Sequence, residues 1–122
     1  MRYLIFFFCL FLFASCLQNK TMKIDELKTG SFKTVLEDGD ITSTAIRNDS
    51  LQIETYKGVK DTFMIQWLDQ FEYVLVKKNP KSLLDSTPFH VKITSLEGKS
   101  YKFRAYYKGS NFKQKGTAYK LN

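Results

Sequence analysis

Cys16 is the side chain whose neighbours prescribe a reaction. Before it come Met1-Arg2, an apolar stretch from Tyr3 to Ala14, and the small residue Ser15. After it the chain turns polar at once, with Gln18, Asn19 and Lys20. One positive charge, a short apolar run, small residues and a cysteine make a bacterial lipoprotein signal. The pattern predicts cleavage between Ser15 and Cys16, and acylation of the Cys16 thiol. The apolar stretch is 12 residues long; a spanning helix needs roughly 20, at about 1.5 Å of rise each. An ordinary secretory signal that happens to contain a cysteine is the alternative. Each buried CH₂ of an acyl chain contributes about 0.8 kcal/mol, so a multiply acylated Cys16 anchors the chain without a spanning helix.

Other reactive side chains are scarce. Removing residues 1–15 takes Cys9 away and leaves 107 residues from Cys16 to Asn122, enough for one domain. Beyond the lipidated Cys16 this mature chain has no thiol for a disulfide, a zinc site or a nucleophile. His90 is the single histidine, on the polar side of its segment, where a surface role is the simple reading. Asp38 and Asp40 around Gly39 resemble half a calcium loop, but the remaining acids and closing Glu are missing, so a hairpin turn is expected. No Gly-x-Ser-x-Gly, phosphate-binding glycine loop or His-Glu-x-x-His occurs. The expectation is a noncatalytic protein without metal or cofactor.

Charge is unevenly spread. Residues 21–76 carry 6 basic and 10 acidic side chains, while residues 98–122 carry seven basic ones and no acid. Lys99, Lys102, Arg104, Lys108, Lys113, Lys115 and Lys120 can either neutralise the acidic half within the fold or form a basic outer face. For the second reading the contact residues are Lys102, Arg104, Lys108, Lys113 and Lys115, docking on anionic lipid or an acidic envelope protein. Tyr106, Tyr107, Phe112 and Tyr119 among those lysines superficially suit a nucleic-acid platform. The export signal argues against such a partner.

The elements that must position these groups read as strands. Lys23–Lys28 suits one helical turn with Ile24 and Leu27 on the same side. After Gly30 the period becomes 2. Leu51, Ile53 and Thr55 share a face against Gln52, Glu54 and Tyr56. Phe63, Ile65 and Trp67 alternate with Gln66, and Phe71, Tyr73 and Leu75 with Glu72. The same holds for Phe89, Val91 and Ile93, and for Tyr101, Phe103, Ala105 and Tyr107. Asp38-Gly39, Asn48-Asp49, Lys57-Gly58, Glu97-Gly98 and Lys108-Gly109 supply turns between them. With residues 31–37, 40–47 and 116–121 added, eight strands are expected. In the 77–88 connection, Asn79 as N-cap and Pro80 at the first helical position predict a short helix carrying Leu83 and Leu84.

The expected fold is therefore all-β: an up-and-down antiparallel meander, with residues 16–22 as tether and 23–122 as one domain. Closure into a barrel removes two sticky edges and is preferred over a sandwich. The expected interior is Phe63, Trp67, Phe71, Tyr73, Phe89, Tyr101 and Phe103. Trp67 and its neighbours read as core before ligand-stacking groups.

Several fragments resemble a group of small Bacteroidota lipoproteins of unestablished function. These are Ala14-Ser15-Cys16-Leu17-Gln18-Asn19-Lys20, Lys28-Thr29-Gly30-Ser31-Phe32, Arg47-Asn48-Asp49-Ser50, Ile65-Gln66-Trp67, Tyr73-Val74-Leu75 and Lys77-Lys78-Asn79-Pro80-Lys81. Some members carry a DNA topoisomerase IV label. A type II topoisomerase needs an ATP-driven multi-domain machine, for which 107 residues leave no room. Gly30-x-Phe32 also resembles the opening of lipocalin-type barrels. Surface lipoproteins of that phylum often carry an acidic cluster after the lipidated cysteine; Leu17-Gln18-Asn19-Lys20 has none, which favours the periplasmic face. Asp49-Ser50-Leu51 and Asp85-Ser86-Thr87 resemble the phylum's O-glycosylation sites, at Ser50 and Ser86. Two functions remain: a membrane-anchored envelope lipoprotein that acts as a monomeric interaction module, or a carrier with an apolar ligand inside the barrel. The interior volume discriminates them.

Overall fold

The computed structural model describes residues 21–37 and 41–121. Eight strands are found among them: β1 (Gly30–Leu36), β2 (Thr42–Arg47), β3 (Leu51–Tyr56), β4 (Val59–Asp69), β5 (Glu72–Lys77), β6 (Phe89–Glu97), β7 (Ser100–Tyr107) and β8 (Gln114–Lys120). Each pairs antiparallel with the next, and β8 returns to β1, with Phe32 opposite Lys120 and Leu36 opposite Gly116. The sheet is a closed barrel. Closure leaves no strand edge unpaired, as the meander predicts. Asp40 and the lipidation segment lie outside the described residues.

Local chemistry explains the tight connections. Lys57 and Gly58 join β3 to β4 as a two-residue loop with φ of 50° and 79°, the positive pair that a hairpin with right-handed twist requires. Asn48 Oδ1 accepts from the N–H groups of Ser50 and Leu51 and shapes the β2–β3 turn. Asp69 does the same for Phe71. Gly116 answers a different need. A Cβ there would stand 2.7 Å from the Phe103 ring and 2.8 Å from the Val35 carbonyl. Without a side chain there, the Phe103 ring can approach β8 closely.

One end of the barrel is plugged. A 3₁₀ turn, Ile24–Leu27, puts Leu27 completely out of solvent, in the same buried cluster as Phe32 and Tyr101. Met22 is also buried, and its N–H donates to the Gly98 carbonyl at 2.8 Å. Met22, a residue that the sequence reading gives to the tether, is thus packed against the barrel. Lys120 Nζ donates to the Glu26 carbonyl and stands 5.8 Å over the Phe32 ring, so the last strand clamps the plug.

Two expectations are corrected. Phe71 was expected inside; it sits in the β4–β5 turn and is 44 % exposed, because the β-bulge at Trp67/Asp69 shifts the register just before it. The short helix, α1, is one turn (Leu83–Ser86) capped by Ser82 rather than Asn79, the Ser82 Oγ accepting from the Asp85 N–H. Leu83 and Leu84 on it face solvent. Among the described residues no helix is long and apolar enough to cross a membrane.

Candidate functional site

The unplugged half of the barrel encloses a cavity of about 320 Å³. Its walls come from alternate residues of several strands: Thr34 and Leu36 (β1), Ser43 and Ala45 (β2), Phe63 (β4), Leu75 (β5), Phe89 and Val91 (β6), Phe103 (β7). Most of these are the apolar parity positions that the 2-residue period picks out. β3 does the opposite. Gln52, Glu54 and Tyr56 face the cavity, while Leu51 and Ile53 face out.

The floor is a buried arginine. Arg47 ends β2, is 4 % exposed, and lies between two ring faces, 4.3 Å from the centre of Phe32 and 4.8 Å from that of Tyr73. Its Nε donates to Gln52 Oε1 at 2.9 Å and its Nη1 to the Leu27 carbonyl at 2.7 Å. Nη2 donates to the hydroxyls of Tyr73 at 3.2 Å and Tyr101 at 3.0 Å, and those hydroxyls share a further bond at 2.9 Å. Burial opposes the Arg47 charge, but the tyrosines beside it outweigh burial and hold its pKa above the usual arginine value. Burial pushes the Tyr73 hydroxyl well above the ordinary tyrosine range, and Arg47 pulls against that.

The mouth is acidic and partly paired. Lys77 Nζ lies 3.5 Å from Asp61 Oδ1 and 3.7 Å from Asp85 Oδ2, tying β4, β5 and α1 together. Glu54 faces Asp61 across β3–β4. Its carboxyl is pushed up by burial and by Asp61, while the Ser43 hydroxyl and Arg47 pull it down.

The sequence-expected sites scatter. Ser15 and Cys16 lie outside the described residues, as do Asp38 and Asp40. Lys102, Arg104 and Lys115 stand on the outer surface, with Lys92, Arg104 and Lys115 in direct cross-strand register. Lys108 and Lys113 are exposed in the β7–β8 connection. Ser50 is exposed in the β2–β3 turn; Ser86 is exposed too, its Oγ donating to the Leu83 carbonyl. His90 is on the outer face, but only partly exposed: it stacks on Tyr106 at 5.2 Å, with Nδ1 3.2 Å from Glu72 Oε2. Trp67 packs against Tyr73 at 4.8 Å, and its Nε1 is buried without a hydrogen-bond partner. Among the described residues no three His, Cys, Asp or Glu side chains gather as a metal ion would require.

Arg47 was missed by the sequence reading, where it marked only a strand end. The available signal was parity, since it shares its face with Ser43 and Ala45. A closed antiparallel barrel with a mainly apolar pocket over a buried cation is the class that fold and site define. The chain matches no family model, no curated protein and no solved structure.

Proposed function

We propose that this chain is a noncatalytic, membrane-anchored binding barrel that holds one small, mainly apolar ligand. The cavity carries the reading. At about 320 Å³ it falls in the range of small-molecule sites, roughly 300–1,000 Å³. A barrel serving only through its outer surface has no need of the space. The interior thus favours the carrier over the purely external interaction module, and the Gly30-x-Phe32 likeness to lipocalin-type barrels agrees with it.

The anchor belongs to the same proposal. From a lipidated Cys16 to Met22 the chain can reach about 20 Å when fully extended. Because Met22 is fixed at the plugged end, that end stays near the membrane and the mouth remains free to receive ligand. The outer row of Lys92, Arg104 and Lys115 is the surface for anionic headgroups or an acidic envelope protein, on the periplasmic face. Like charges directly opposite one another destabilise a sheet, and an anionic partner relieves them.

A neutral dye that brightens in apolar surroundings, N-phenyl-1-naphthylamine, tests the cavity. The soluble form beginning at Thr21 keeps every described contact and is expected to bind it. Ala45→Phe, which fills the cavity from β2, should abolish binding while the strand-type circular dichroism persists. Undiminished binding by this variant removes the reading.

A further inference from the structure

We infer that the cavity floor receives the carboxylate head of a singly charged ligand whose apolar body occupies the walls. The inference rests on the cavity-binding reading and names the chemistry of the ligand. Arg47 is a buried cation whose hydrogen-bond partners are all neutral oxygens: an amide, a main-chain carbonyl and two hydroxyls. No carboxylate among the described residues lies within ion-pair distance of it. Glu54 acts on it only from farther along the wall, and a charge withdrawn from water with no carboxylate in contact leaves a large desolvation cost standing in the unliganded protein.

Counting hydrogens shows what the floor can offer. A guanidinium has five N–H donors, and the described contacts use four of Arg47's. Tyr73 and Tyr101 each accept from Nη2, and one donates to the other, which occupies one of their two hydroxyl hydrogens. The second hydroxyl hydrogen is left over. Gln52 must turn its oxygen to Arg47, since arginine only donates, so its NH₂ group also supplies donors. Arg47, Gln52, Tyr73 and Tyr101 all line the cavity. The surplus is therefore made of donors, grouped around one positive charge.

Such a floor selects an acceptor-only, negatively charged group. A carboxylate brings one charge and two oxygens, and charge-assisted bonds of this kind are about twice as strong as neutral ones. A phosphate dianion carries more charge than one arginine offsets, and Glu54 on the wall adds to the excess. An ammonium meets donors and a like charge. Above the floor, Phe63, Leu75, Phe89, Val91 and Phe103 give an alkyl or aryl body its surroundings.

Octanoate, 1-octanol and octylamine have equal tails and differ in the head group. Each is titrated into the dye-loaded soluble form, with displacement as the readout. Fluorescence of the single tryptophan, Trp67, beside Tyr73 gives a second readout. Octanoate is expected to displace the dye at a concentration at least about tenfold below that of octanol, with octylamine the weakest. In the Tyr73→Phe/Tyr101→Phe variant, which keeps both rings, the advantage of octanoate should shrink to about twofold while octanol is unchanged. Displacement by octanol as readily as by octanoate, or by none of the three, overturns the inference, and dye binding then leaves the cavity reading in place. Failure of the unmodified protein to bind the dye removes both. The head-group comparison on the unmodified protein decides the matter even where the double variant fails to fold.

Discussion

The floor and the mouth of the barrel both hold charge, and they hold it in opposite ways. At the floor one cation is enclosed by aromatic faces and neutral oxygens, with 4 % of its surface in contact with solvent. At the mouth Lys77 lies between Asp61 and Asp85, with side-chain exposures of 28 %, 44 % and 27 %. Solvent screens the second arrangement and not the first. A charge at the floor is therefore expected to organise the fold, whereas a charge at the mouth tunes what enters.

The sharpest break of this comparison is Arg47→Ala. It strands the Leu27 carbonyl, Gln52 Oε1 and two hydroxyls in a buried space and removes the guanidinium from between Phe32 and Tyr73. Removing one partner from a buried charged network costs about 3–5 kcal/mol, and urea denaturation should show a loss of that size. Arg47→Met combined with Tyr73→Phe and Tyr101→Phe should return part of it, because no hydroxyl is then left unpaired and only the Leu27 carbonyl and Gln52 Oε1 lack their donor. A loss below about 1 kcal/mol for Arg47→Ala would mean that the floor is not an organising element.

Next in size is Gly116→Ala. The added methyl meets the Phe103 ring and the Val35 carbonyl, and overpacking of this kind costs about 1–3 kcal/mol. The measurement is again the urea midpoint. An unchanged midpoint would show that Phe103 swings aside freely and that the cavity wall is soft.

A smaller effect follows from Glu54, which lies between the two regions. Burial raises its carboxyl above the ordinary value of about 4.3. The folded protein therefore holds the proton more tightly than the unfolded chain does. As pH rises from that ordinary value through the raised one, the unfolded chain sheds its proton first, and stability falls. Glu54→Gln should remove this fall, so that its stability relative to the unmodified protein grows between acid and neutral pH. A constant difference across that range would mean that Glu54 titrates normally.

The fold was more legible in the sequence than the site, and the reason is physical. Period-2 alternation and Lys57-Gly58, Glu97-Gly98 and Lys108-Gly109 report on local backbone geometry, so strands and turns could be read directly. The inward side of β3 could not, because Leu51 and Ile53 look like the core face while Gln52 and Glu54 are the ones turned inside. That choice is fixed by the register against β2, where Arg47 stands opposite Gln52, and register is a long-range property. Arg47 was hidden for the same reason. A charged residue beside Asn48-Asp49 looks like turn flank until Phe32, Tyr73 and Tyr101, distant in sequence, are brought around it. Phe71 misled in the other direction, since a bulge at Trp67/Asp69 breaks the parity that placed it inside.

The smallest expected effect closes the comparison. Lys77→Ala removes the cation shared by Asp61 and Asp85, leaving two carboxylates that water still reaches. Partly exposed pairs of this kind contribute about 0–1 kcal/mol, so stability should change by less than about 1 kcal/mol, and less still at high salt. The cavity should respond more. Without Lys77 the mouth carries Glu54, Asp61 and Asp85 unopposed, and an anion entering past them meets repulsion that a neutral molecule does not. The association rate of octanoate, followed by stopped-flow Trp67 fluorescence, should therefore fall at low salt and recover as ionic strength rises, with octanol unaffected. A stability loss of about 3 kcal/mol would make the mouth a second organising centre and erase the contrast with the floor. An octanoate rate indifferent to both Lys77 and salt would show that ligand reaches the cavity by another route.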